Sequence, residues 1–191
     1  MINYFDLLAE WFEFKGLNND SGSYSDWNQR FEEVLAKKKK LIEGWELLLE
    51  DLKQTNQFLR VKDMGPVTEQ YCYKAILPFK LDPREGIILH LSPIGNLFGF
   101  NYSNYSIEAP LPVKDYNGQS HNYLSYYPFS AEHENIAQQV KNIIIKNFRD
   151  FRHFDSLDAN LPCYNITIEG NQYKKIDLFQ ALFGANLYGM I

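Results

Sequence analysis

"TEQYCYKAILPFKL", residues 68–81, is where the apolar period of this chain changes. Upstream, large apolar residues recur every three or four positions, as on a helix. Here and downstream, aromatic and branched residues come in short runs bounded by turn residues, as in strands. "GIILHLSP", residues 86–93, reads as a second strand. "NLFGFNYSNY", residues 96–105, reads as a third, reached through the loop Ser92-Pro-Ile-Gly-Asn96. A fourth, "SHNYLSYYPF" at 120–129, follows the turn signal Asn117-Gly118. The segment between, residues 107–119, reads as loop or edge.

Working upstream, residues 3–14 read as a short helix with Phe5, Leu8, Trp11 and Phe12 on one side. Ser25 is placed to cap a second helix, with Asp26 in its first turn. Trp27, Phe31, Val34, Leu41, Trp45, Leu48 and Leu52 carry its stripe to about residue 55, roughly eight turns at 3.6 residues each. Gly44 weakens that helix without ending it. The run Lys37–Lys40 invites a nucleic-acid reading. Four consecutive helical residues point in four directions, however, and form no single patch. Lys38 alone falls on the apolar stripe, where its stem is expected to lie along the core.

Downstream, Ser130 precedes a helix with Glu132 and Glu134 in its first turn and Ile136, Val140, Ile143, Ile144, Phe148 and Phe151 on one face. "AEHENIAQQV", 131–140, approaches the His-Glu-x-x-His zinc signature, but Ala137 stands where the second His belongs. His133 therefore reads as a structural residue. "LPCYNITI" reads as a short strand. "KIDLFQALFGANLY" reads as a helix ending near Gly184, with Ile176, Phe179, Leu182 and Phe183 docking on the core. The expectation is a single α+β domain over 1–191: a helical part, 1–57, then a sheet of about four antiparallel strands and C-terminal helices, 66–191.

Apolar residues make up 45% of the chain and aromatics 16%, ample for a core. No apolar run is long enough to span a bilayer, and the N-terminus has no basic start or uninterrupted apolar run of a secretory signal. Cys72 and Cys163 are far apart and unpaired by motif. A cytoplasmic protein with reduced thiols is expected. A net charge of −5 argues against a nucleic-acid partner.

No motif supports a catalytic residue, a cofactor or a metal. His90, His121, His133 and His153 are scattered, and no glycine-rich phosphate loop or nucleophile elbow is present. His90 reads as an exposed or hydrogen-bonded strand residue, and Asp82 and Glu85 as turn residues around Pro83. A non-enzymatic protein-binding module is the leading expectation. Tyr102, Tyr105, Tyr123 and Tyr126, interleaved with Asn, Ser, Gly and Gln, would supply contact area at low entropic cost. Glu10, Glu13 and Asp20 would steer a basic partner. The alternatives are a small hydrolase or transferase assembled in space from His90, His121 or Cys72, and a scaffold that oligomerises through the Trp27–Leu52 helix.

"YYPFSAEHENIAQQVKNIIIKNF", "FRHFDSLDANLPCYNI" and "DLFQALFG", within residues 126–184, together resemble the C-terminal half of small cytoplasmic proteins of Bacteroidetes-type bacteria. Some of those are immunity proteins of polymorphic toxin systems. The resemblance implies a cognate toxin as partner and inhibition by occlusion, with no catalytic residues to carry over.

Overall fold

The structure is a computed structural model. It describes residues 3–14, 24–64, 71–104, 107, 113–114, 120–121, 124–168 and 171–184. The helices are α1 (Tyr4–Trp11), α2 (Tyr24–Lys40), α3 (Ile42–Gln54), α4 (Ala131–Asn147) and α5 (Leu178–Phe183). The strands are β1 (Glu13–Phe14), β2 (Lys62–Asp63), β3 (Tyr73–Pro78), β4 (Gly86–Ser92), β5 (Leu97–Ser103), β6 (Val113–Lys114), β7 (Ser120–His121), β8 (Leu124–Ser125), β9 (Arg152–His153), β10 (Pro162–Ile168) and β11 (Asn171–Asp177). The class is α+β, as expected.

Alternation along β3, β4 and β5 sorts their side chains onto two faces of the main sheet, whose order is β2-β3-β4-β5-β8. Tyr73, Ala75 and Leu77, Ile87, Leu89 and Leu91, and Phe98, Phe100 and Tyr102 form one face. They pack on Trp45, Leu48 and Leu52 of α3 and on Ile136, Val140 and Ile144 of α4. The opposite face meets α5 and, through it, a second apolar cluster. That cluster joins Leu8 and Trp11 of α1 to Ile166 and Ile168 of β10 and to Phe179, Leu182 and Phe183 of α5. A smaller sheet, β1-β10-β11, frames it. Among the described residues, β6 and β7 pair only with each other.

The first helix stops at Trp11, so Glu13 and Phe14, read as helical, form β1, and α2 starts at Tyr24, ahead of the expected cap Ser25. Two further features depart from the sequence reading. The predicted long helix is two helices, and the break is at Leu41, not at Gly44. The Lys38 carbonyl accepts both Leu41 N–H (3.0 Å) and the Tyr73 hydroxyl (3.0 Å). The first bond tightens the last turn, and the second satisfies a carbonyl that α2 leaves open at its end. At the C-terminus, "KKID" belongs to β11, paired with β10 from Asn171–Ile168 to Asp177–Pro162, so the last helix begins only at Leu178.

Other readings hold. Ser130 caps α4, its hydroxyl accepting from His133 N–H at 3.2 Å. Lys38 is buried, with its ammonium 5.0 Å from the Tyr73 ring centre. Cys72 and Cys163 are buried free thiols. No described helix is long and apolar enough to cross a membrane.

Candidate functional site

β5 is the strand from which the candidate site is built. On its outer edge β8 pairs only with Tyr102 and Ser103, while β9 runs parallel beside Leu97 and Phe98. Among the described residues, no strand pairs with that edge between these ends. Phe154 N–H, just past β9, donates to Phe98 O at 2.8 Å, so the chain turns away there. A niche of about 20 Å³ results. Phe100, Tyr102, Tyr126, His153, Phe154, Ser156 and Phe179 line it.

Its polar groups are unusually tuned. The Tyr126 hydroxyl donates to Asp177 Oδ2 at 2.8 Å. Burial, then the Asp177 charge, pushes the Tyr126 phenol far up, while burial raises the Asp177 carboxyl. Burial and the nearby Glu134 push Tyr102 up to about 12. Burial lowers His153 to about 4, helped by Lys141, so the imidazole is neutral at physiological pH. Lys141 is itself lowered by burial, against Glu134 and Asp155. Such clustering of shifted groups is a mark of functional sites, though ion-pair networks produce it too.

Tyr102 and Tyr126 therefore do not stand where the sequence reading puts them. Tyr102 is 5% exposed and belongs to the core beside α4. Tyr126 is half-buried and stacks on Phe179 at 4.8 Å. Tyr102 is covered by the α3–α4 layer and Tyr126 packs against α5, so neither belongs to a broad surface patch. Tyr105, Tyr123 and Asp20 lie outside the described residues, as does the side chain of Glu13. Glu10 is exposed on α1. It lines an open groove of about 400 Å³ between α1 and α2, with Trp11, Gln29, Arg30 and Glu33. The Lys37 ammonium lies 4.3 Å above the Trp11 ring.

The residues named for a spatially assembled enzyme site are partly brought together. Lys74 pairs in register with His90, and Cys72 lies just before β3, two residues ahead of Lys74. His90 points away from Leu89 and Leu91, as alternation requires, but it is fully buried rather than exposed. α5 covers it, with the Phe179 and Phe183 rings at 5.2 and 5.9 Å. Neither ring nitrogen has a hydrogen-bond partner among the described residues. Burial, then the Lys74 charge, holds the imidazole well below its usual range, with Asn101 acting the other way. The Cys72 thiol donates to Phe183 O at 2.6 Å. The side chain of His121 is not described. His133 is buried among the Phe79, Tyr102 and Phe129 rings, with Nδ1 2.9 Å from the Ser130 hydroxyl. Among the described residues, no group of three or more His, Cys, Asp or Glu side chains is placed to hold a metal.

No protein-family model, curated protein or solved structure matches this chain.

Sequence reasoning missed the niche altogether. Tyr102, Tyr126, His153 and Ser156 are drawn together by the pairing of β5 with two separate short strands, and no spacing in the sequence reports that.

Proposed function

We propose that this chain is a non-enzymatic protein-binding module, an immunity protein that neutralises a cognate toxin by occluding it. The open groove between α1 and α2 carries the reading. Glu10 and Glu33 are exposed carboxylates on its walls, beside Arg30 and the Lys37 ammonium, which lies over the largely buried Trp11 ring. Exposed carboxylates speed encounter with a basic partner. Asp6 lies one turn before Glu10 and is also exposed. The groove thus replaces Tyr102 and Tyr126 as the described contact surface. Tyr105 and Tyr123 stay in the proposal from sequence alone.

The test is co-expression with the product of the neighbouring reading frame. Wild-type chain should restore growth, and the purified pair should associate at a rate that falls with rising salt. The double change Glu10→Lys with Glu33→Lys should slow association while leaving the circular dichroism spectrum intact. An unchanged association rate at every ionic strength would remove the groove. Toxicity undiminished by the wild-type chain, with no complex formed, would remove the immunity role.

A further inference from the structure

We infer that Ser130 is a nucleophile, activated by His133 and steered by Glu85, that takes an acyl group from a neutral carboxylic ester. The step uses none of the groove residues and goes beyond the binding role proposed above.

The geometry begins with the hydroxyl. Ser130 is exposed, and its Oγ lies 2.9 Å from His133 Nδ1. An N-cap requires only the bond from His133 N–H to Oγ, so the imidazole contact is additional. That N–H takes one lone pair of Oγ and leaves the hydroxyl proton free to be donated to Nδ1. On the far side of the ring, Nε2 is buried and stands 3.7 Å from Glu85 Oε2. With the ring proton on Nδ1, the Nε2 lone pair would face a carboxylate. The proton therefore belongs on Nε2, and Nδ1 is the base. At 3.7 Å the carboxylate acts through its charge, short of a hydrogen bond. Contacts of this kind often tighten only when substrate binds.

Separate elements hold the three groups. His133 is set among the rings of Phe79, Tyr102 and Phe129, at 5.0, 6.1 and 5.9 Å. Glu85 immediately precedes β4, its carbonyl accepting Phe79 N–H at 2.9 Å. A hydroxyl against a base, with the base turned by a third group, is the arrangement that activates a nucleophile.

The surroundings choose the electrophile. Glu132 and Glu134 are exposed in the first turn of α4, and Glu85 adds a third carboxylate. These acids repel phosphorylated and other anionic donors. Phe129, next in the chain and 44% exposed, offers an apolar ring to an acyl chain. In the step, the Ser130 proton passes to His133 Nδ1 as Oγ bonds to the carbonyl carbon. The bond from that carbon to the leaving oxygen then breaks, and the alkoxide takes the proton from Nδ1. The products are an alcohol and acylated Ser130.

The experiment treats the full chain with p-nitrophenyl acetate, follows nitrophenolate release and locates the acetyl group by peptide mass spectrometry. An acetyl group on Ser130 is expected. Ser130→Asp, which keeps an N-cap acceptor and so the helix, should lose that label. His133→Phe, which keeps a ring among rings and removes the base, should slow labelling of Ser130 at least about a hundredfold. Glu85→Gln should slow it several-fold, and Glu85→Asp, which restores the charge, should recover part of the loss. Acetyl phosphate, an anionic donor whose leaving group is of similar acidity, should label Ser130 at least about tenfold more slowly. Acetylation confined to lysines, or Ser130 labelled at an undiminished rate in His133→Phe, would overturn the assignment. Equal labelling by the two donors would overturn the choice of a neutral ester. If His133→Phe does not fold, the Glu85 variants decide: equal rates in wild type, Glu85→Gln and Glu85→Asp would overturn the activation of Ser130.

Discussion

At the scale of single residues, the buried polar groups have the largest consequences. His90 is neutral and shut between Phe179, Phe183 and the sheet. Its pKa in the folded chain is depressed, so the unfolded chain binds the extra proton and acid favours unfolding. The sign is unambiguous: the contribution is present above the unfolded value near 6.5 and is lost as pH falls. His153, lowered to about 4, acts in the same direction, with its loss complete near that value. Stability measured in urea should therefore decline from pH 6.5 towards 4, by at most about 1.4 kcal/mol per pH unit for each histidine. His90→Leu should lower that slope by one proton and change stability at pH 7 by less than about 1.5 kcal/mol, since a buried neutral imidazole is exchanged for an apolar side chain of similar size. A slope identical to wild type would show that His90 titrates normally. Residue-level reading of the sequence did find the cap of α4, though Ser25 proves to lie inside α2: Ser130→Ala should cost about 1 kcal/mol, as loss of an N-cap hydroxyl does. It did not find the niche, because Tyr126 and Asp177 are 51 positions apart and meet only after both sheets have formed.

At the scale of elements, the docking of α5 explains which parts of the fold were legible. The strands β3, β4 and β5 declare themselves through short aromatic and branched runs bounded by turn residues, and each lies within the segment where the sequence puts it. Helix α4 declares itself through its cap and its stripe. What local pattern misses is what a distant element does to it. Leu41 ends α2 because Tyr73, 35 positions away, bonds to the Lys38 carbonyl. Lys175 and Ile176 extend a strand because Tyr164 and Cys163 of β10 pair with them, whatever their preference for a helix. Similarly, Gly99 looks like a defect in a strand until α5 is in place. A methyl there would lie 2.7 Å from Phe179 Cε2 and 3.2 Å from Phe183 Cε2. Gly99→Ala should displace those rings and cost about 1–3 kcal/mol, the usual range for overpacking. Guanidinium unfolding checks the cost, and near-ultraviolet circular dichroism checks the aromatic packing. Loss of less than a few tenths of a kcal/mol would mean that α5 is free to shift on the sheet.

At the scale of the molecule, the two ends of the chain build one core while the middle builds the other. α1 contributes Leu8, Trp11 and Phe12 to the cluster completed by β10, β11 and α5. β1, immediately after α1, pairs through Glu13 and Phe14 with Thr167 and Ile166 of β10. α3 and α4 instead cover the far face of the main sheet around Trp45. The two clusters share β3, β4 and β5 as their common wall, and a shared wall couples their stabilities. Neither set of helices has a complete apolar face to bury without that sheet, so the whole should unfold as a unit. Trp11 reports on one cluster and Trp45 on the other. On a Trp27→Phe background, thermal unfolding followed by fluorescence in Trp45→Phe and in Trp11→Phe should therefore show, in each variant, a midpoint that coincides with its own far-ultraviolet transition. Removing residues 1–14 should be felt across the wall. It uncovers the partners of Leu8, Trp11 and Phe12, each worth roughly 1.5–3 kcal/mol of burial, and that sum approaches the entire stability of an ordinary domain. The truncated chain should then lose the near-ultraviolet signal of the Trp45 cluster as well. A Trp45 environment that survives the truncation unchanged would show the sheet and its α3–α4 layer to be stable alone, with the N-terminal helix an appendage.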